Sequence, residues 1–290
     1  MSDESTVQTQ AGLKPDLDSA YPDLSLLDLD LPDNDGEPME NERDRTQVTL
    51  LLDALDQHWH DRHDFYAAGN MFLYYSLGQA HEILAEEAEP ARPRRAFRGP
   101  DMFVVCDVDG IRRRRTWRVW EEDGRYPDVI FEFLSPSTRQ NDQTTKKTLY
   151  ERTFKTPEYY WYDPYDSSVL QGWLLHPDTG YQASLPDARG WLWSPALQLW
   201  IGRWAGTYKR DPATWLRFYD QEGRLVLTPD ERAVLRQQEV EAERVRVEAE
   251  RVRAETERVR AETERTRAET AEAEVTRLRA ELARLRGESS

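Results

Sequence analysis

Pro127-Asp128-Val129-Ile130-Phe131-Glu132-Phe133-Leu134 decides the fold. Beyond its Pro-Asp opening it is apolar except for Glu132, the composition of a central strand covered on both faces. An ionised glutamate inside such a strand is costly unless it is paired or metal-bound. Upstream stands a second apolar run, Gly99-Pro100-Asp101-Met102-Phe103-Val104-Val105, opened by another carboxylate. Downstream, Pro136 stops the strand, and Ser137 or Thr138 is a good N-cap, so a helix is predicted from Thr138 to about Phe154. Asp142, Lys146 and Tyr150 share one face of that helix at four-residue spacing. Because the helix follows directly on the Glu132 strand, this face can lean toward the strand end.

Paired carboxylates on adjacent strands form a hard oxygen site suited to Mg²⁺ or Mn²⁺. Such an ion lowers the pKa of a bound water and stabilises charge developing on a phosphate. A nearby lysine adds positive charge and orients the water. Two carboxylate-bearing strands followed by a lysine-bearing helix are therefore what a metal-dependent phosphodiester hydrolase needs. The same residue types also allow Glu132 to pair with an arginine as a structural ion pair, and Asp142 to form a solvated pair with Lys146.

Working outward, Val48, Leu51, Leu52, Leu55 and Trp59 recur at helical spacing and predict an amphipathic helix over 40–62. Strands are expected at Phe72–Tyr75 after the Gly69-Asn70 turn, and at Met102–Asp107 and Thr116–Trp120. The last two read as neighbours joined by an Asp109-Gly110 hairpin turn. Further strands are expected at Tyr159–Tyr162 and Val169–Leu174, joined by the turn Asp163-Pro164-Tyr165-Asp166. A Trp-rich region, 191–219, closes the globular part. The sum is a mixed α/β sandwich.

The chain has 290 residues, 38% of them hydrophobic and 32% charged, and a net charge of −16. That balance excludes a general nucleic-acid coat protein. The charge is uneven, however. Residues 1–38 are acidic and poor in aromatics, which predicts a disordered tail, and its alternating leucines, Leu24 to Leu31, could form a short binding motif. Arginines crowd 91–118 (Arg92, Arg94, Arg95, Arg98, Arg112 to Arg115, Arg118). The Arg112–Arg115 run could hold phosphates or solvate an edge strand. The single cysteine, Cys106, excludes an intramolecular disulfide and fits a reducing cytoplasm. No apolar run is long enough to span a membrane, and the acidic N-terminus is no signal peptide. His58, His60 and His63 lack zinc spacing, neither a Gly-x-Ser-x-Gly elbow nor a phosphate-binding glycine loop occurs, and the aromatics read as core.

From Thr228-Pro229-Asp230-Glu231 a long helix is predicted, with Pro in its first turn. Over 239–271 the sequence repeats nearly every seven residues. Val245, Val252 and Val259 share one phase, with Ala249, Thr256 and Thr263 four residues beyond each. The phase then slips before Val275, Leu278, Leu282 and Leu285. The seam predicts coiled-coil oligomerisation through residues 239–287. A lone helix stabilised by Glu–Arg pairs is the other reading. Three regions follow: the tail 1–38, a globular domain 39–227, and the coiled-coil helix 228–287.

These residues resemble a known family, the Uma-type endonucleases, a restriction-endonuclease-like group of the PD-(D/E)XK superfamily. The resemblance runs from about Glu37 to Glu231. It is carried by Glu37-Pro38-Met39-Glu40, Gly99-Pro100-Asp101, Trp117 to Trp120, Glu121 to Asp128, Glu132 with Leu134-Ser135-Pro136-Ser137-Thr138, Asp142 with Lys146-Lys147 and Tyr150, and Thr156-Pro157-Glu158-Tyr159-Tyr160-Trp161. It implies a mixed sheet between helices and Mg²⁺- or Mn²⁺-dependent hydrolysis of nucleic acid, DNA above all. It also implies a site made of Asp101, Glu132, a lysine and an accessory carboxylate, Glu40. Asp128 rivals Asp101, being also part of a Pro-Asp pair, but it lies at the far end of the Glu132 strand. One departure stands out: the superfamily lysine belongs two residues after Glu132, where this chain has Leu134. Lys146, or else Lys147, is the natural substitute. If neither serves, the chain reads as a nuclease-like adaptor assembled by its coiled coil.

Overall fold

A computed structural model describes residues 30–33, 42–89, 96–135 and 142–287. The tail 1–29, Glu40, Arg92, Arg94, Arg95 and the Pro136–Thr138 helix start lie outside them. The described residues form two compact units, those within 30–49 and 62–216, and those within 50–61 and 217–287.

The first unit is built on a six-stranded mixed sheet in the order β1-β3-β5-β6-β7-β8. Its strands are β1 (Phe65–Gly69), β3 (Met102–Cys106), β5 (Val129–Phe133), β6 (Glu158–Tyr162), β7 (Leu170–His176) and β8 (Gly180–Ala183). Every residue of β5 is buried, as its apolar run requires. β5 pairs antiparallel with β3 and parallel with β6. Parallel neighbours need a crossover, and helix α3, residues 142–154, supplies it. α3 opens and closes with wide π-type turns, of a kind frequent at functional sites. One face of the sheet, with Phe103, Val105, Ile130, Leu134, Tyr159 and Trp161, forms a core with Tyr150 and Phe154 of α3.

The expected hairpin between 102–107 and 116–120 does not form. β3 pairs with β1 and β5, while Trp117–Arg118 (β4) makes a short parallel ladder with Leu73–Tyr74 (β2). Asp109 Oδ1 instead accepts from the Ile111 and Arg112 amides, and the Gly110 amide donates to the His63 carbonyl. The local turn chemistry is satisfied without a hairpin. A second helix, α2 (Leu77–Ala88), was not expected, although Ser76 caps it by accepting from the Gln79 amide at 3.2 Å. A three-stranded sheet, β11-β10-β9, joins Asp211–Tyr219, Leu199–Tyr208 and Leu192–Ser194.

Helix α1 (Glu42–His58) begins in the first unit and ends in the second. It buries Val48, Leu51 and Leu55, along with Leu50 and Ala54, whereas Leu52 is only half-buried. The second unit also carries the last three residues of β11, 217–219, and the 59-residue helix α4 (Pro229–Gly287). Its start is a reciprocal cap. The Glu231 amide donates to Thr228 Oγ1, and Glu231 Oε2 accepts from the Thr228 amide at 2.8 Å.

Candidate active site

Backbone packing alone fixes the Gly-Pro-Asp entry to β3. A β-carbon on Gly99 would lie 2.2 Å from the Met71 carbonyl oxygen, so only glycine permits this approach. The Arg98 and Asp101 carbonyls accept from the Leu73 and Asn70 amides at 2.7 and 2.9 Å. With the entry fixed, the pairing Met102↔Phe131, carried one residue outward, sets Asp101 opposite Glu132. Residues opposite each other on antiparallel strands project to the same face. Asp101 Oδ2 also accepts from the Phe133 amide at 2.6 Å, extending the ladder past the strand end.

Glu132 is fully buried. Its Oε2 lies 2.9 Å from Lys146 Nζ, and its Oε1 accepts from the Tyr150 hydroxyl at 2.5 Å. The crossover explains the arrangement. α3 returns over the face that holds Ile130 and Leu134, and a four-residue step turns Lys146, Tyr150 and Phe154 onto it in succession. Tyr150 packs edge-on against Tyr159 and tilted against Phe154, with ring centroids 5.2 and 5.5 Å away. These two charge-assisted bonds offset the desolvation of the buried carboxylate. Lys146 is mostly buried, its side chain 16% exposed, and so links Glu132 to solvent.

The neighbouring lysine does something else. Lys147 Nζ sits 4.4 Å above the Trp173 ring. Burial pushes its pKa down, against the opposing charge of Glu151. Leu134, where the superfamily lysine would stand, is fully buried in the core. Asp128 lies at the other end of β5. It accepts from the Cys106 amide at 2.7 Å and faces Arg125 at 3.6 Å, and burial raises its pKa. Its bonds are those of a strand-end cap. Asp142 begins α3, but its side chain is outside the described set, as is all of Glu40.

Arg112, Arg114, Arg115 and Arg118 face carboxylates. Arg114 makes two bonds to Glu122, at 2.7 and 2.9 Å, and lies over Tyr66 and Trp117. Arg118 meets Glu121 at 3.0 Å, and Arg115 meets Asp33 at 2.6 Å. Cys106 is half-buried, which pushes its thiol up to about 11. Sequence reading set Tyr150 on the Lys146 face without giving it a role. Its hydroxyl holds one of the two Glu132 oxygens.

Among the described residues, no cluster of three or more His, Cys, Asp or Glu could hold a metal. The candidate donors are the two carboxylates Asp101 and Glu132, with neither thiolate nor imidazole. Such a set does not suit zinc. It fits Mg²⁺ or Mn²⁺, which bind through one or two carboxylates and complete their shell with waters and substrate phosphate. No helix among the described residues is long and apolar enough to cross a membrane.

Comparison with curated proteins finds no match. The model of the Uma2 family, described as "Putative restriction endonuclease", matches residues 36–205. That span holds the whole six-stranded sheet, the crossover helix and the Asp101, Glu132, Lys146 and Tyr150 positions. With more than half of its length matched, the chain belongs to the Uma2 family.

Proposed function

We propose that the chain is a Mg²⁺- or Mn²⁺-dependent endonuclease that hydrolyses phosphodiester bonds of DNA, with copies of the chain joined through residues 239–287. The observation that carries this reading is the buried carboxylate Glu132, bonded to both Lys146 and Tyr150 and set opposite Asp101. A structural ion pair explains Lys146, and the Phe133 amide holds Asp101; a nuclease site is what gives both carboxylates a reason to stand at the same strand end. Asp101 and Glu132 are the residues that would hold the ion, which supplies positive charge to the scissile phosphate and an acidified water. Lys146 orients the attacking water and neutralises charge on the phosphoryl oxygens. Tyr150 keeps the Glu132 carboxylate in one orientation. Hydroxide attacks phosphorus in line, the bond to the 3′ oxygen breaks, and that oxygen takes a proton from solvent water, leaving a 5′-phosphate and a 3′-hydroxyl. Glu40 is the accessory carboxylate that the family resemblance implies. A lone half-buried thiol suits a cytoplasmic setting.

One observation favours a second reading, a nuclease-like adaptor: Leu134 fills the position of the superfamily lysine. The test is cleavage of plasmid and single-stranded DNA with Mg²⁺, Mn²⁺ or EDTA, by the wild type, Glu132→Ala and Lys146→Ala. Metal-dependent cutting lost in both variants supports the nuclease. Cutting unchanged in both refutes this site. No cutting by any form, with no Mn²⁺ bound, supports the adaptor.

A further inference from the structure

Helix α4 leaves Val245, Val252 and Val259 half-exposed or more, at 61%, 55% and 52%. They form one row. Ala242, Ala249, Thr256 and Thr263 form the row beside it, completing an apolar seam. The threonines weaken that seam only if their hydroxyls need a partner, and they do not. Thr256 and Thr263 each donate to a carbonyl four residues back, those of Val252 and Val259, at 2.8 Å. Only their methyl groups are left to the seam.

The charged rows flanking the seam are each of one sign. On the side next to the Val row, three or four residues from its valines, stand Glu241, Glu248, Glu255 and Glu262. On the side next to the Ala/Thr row stand Arg246, Arg253, Arg260 and Arg267. A lone helix needs Glu and Arg only three or four residues apart, as in Glu248–Arg251 and Arg260–Glu264. It is indifferent to which row borders the valines. Two helices packed seam to seam are not. In parallel, each glutamate row meets the arginine row of the other helix, five residues further on: 241 with 246, 248 with 253, 255 with 260, and 262 with 267. In antiparallel packing, glutamates face glutamates and arginines face arginines in every register. Parallel packing with the helices staggered by a heptad would leave unsatisfied seam at both ends and would not close.

We infer that α4 binds α4 of further copies of this chain in a parallel, in-register coiled coil over 241–267. The inference rests on the joining of copies proposed above and not on the nuclease chemistry. The experiment uses the full chain, with light scattering to read its mass. Single variants Val245→Cys and Val259→Cys are oxidised with copper–phenanthroline, with the wild type, carrying only Cys106, as control. A mass that is a multiple of the chain's, with both variants cross-linking to themselves, supports the inference. An antiparallel pair brings like positions together only at its dyad, so cross-linking of one variant or neither, at unchanged mass, overturns the orientation alone. A monomer at all concentrations overturns the joining as well.

Charge reversal supplies a second readout that leaves the helix itself intact. Glu248→Arg with Glu255→Arg, and separately Arg253→Glu with Arg260→Glu, each turn attractive contacts repulsive. Each double variant should self-associate about 100-fold more weakly than the wild type, and mixing the two should restore association. Self-association unchanged in either double variant overturns the orientation.

Discussion

Glu132 is the residue on which the site turns, because it has no water to fall back on. Lys146→Ala should cost about 3 kcal/mol of stability, since it leaves a buried carboxylate unpaired, and that loss would confuse an activity measurement. The double variant Glu132→Gln with Lys146→Met removes both charges and should unfold closer to the wild-type temperature than Lys146→Ala, yet cut no DNA. Calorimetry beside a plasmid assay separates the two effects. Lys147→Ala should leave cleavage within about threefold of wild type, because its ammonium stacks on Trp173 rather than reaching Glu132. Tyr150→Phe deletes one hydrogen bond to Glu132, worth about 1.4 kcal/mol, and should slow cleavage about tenfold. The carboxylates were legible in the sequence, because each interrupts or opens an apolar run. The preference for Lys146 over Lys147 rested on its four-residue step to Tyr150, and the structure keeps that step, with both side chains on Glu132. Adjacent helix positions differ by about 100° in direction, so Lys147 meets Trp173 instead.

Elements whose periodicity and end signals agree were readable: β5 from its apolar run, α1 from its stripe, α4 from Thr228-Pro229-Asp230-Glu231. β1 was missed because Ala67-Ala68-Gly69 has neither branched nor aromatic residues, and its strand state comes from pairing with β3. The paired sheet order was missed because Asp109-Gly110 is a good turn that serves a loop. What fixes the start of α4 was hidden as well. Arg217, fully buried in β11, makes two bonds to Glu231, at 2.9 and 2.7 Å, and a third to the Val226 carbonyl. Burial pushes the Glu231 carboxyl up, but the Arg217 guanidinium and the Thr228 amide more than offset it, so it stays below the ordinary 4.5. With the folded pKa depressed, its stabilisation is fully present above about 4.5 and is lost as pH falls through the depressed value. Thermal unfolding should therefore separate the wild type from Glu231→Gln at pH 7, and the gap should narrow steadily below pH 4.5. Arg217→Ala should destabilise the second unit by about 3 kcal/mol at neutral pH. A gap independent of pH would show that the carboxylate charge plays no part.

At the scale of the whole molecule, the two kinds of structure are held by different forces, and that difference can be measured. All ten tryptophans lie at or before Trp215, and α4 contains no aromatic residue. Indole fluorescence thus reports the packed sheets, while far-ultraviolet ellipticity is weighted toward the 59 residues of α4. The sheets bury their apolar residues within one chain, so their melting should not depend on protein concentration. α4 buries almost none of its valines within its own chain. Its exposed Glu–Arg pairs contribute only about 0.3–0.5 kcal/mol each. Its stability beyond the Arg217 anchor should therefore come from association, and mass action then ties its midpoint to concentration. Raising the protein concentration a hundredfold should lift the ellipticity midpoint by several degrees and leave the fluorescence midpoint where it was. Val252→Asp should abolish the concentration dependence and lower the ellipticity midpoint, with fluorescence unchanged. An ellipticity midpoint that ignores concentration would mean that α4 stands alone on its ion pairs. The nuclease sites proposed above would then have no tether between copies of the chain.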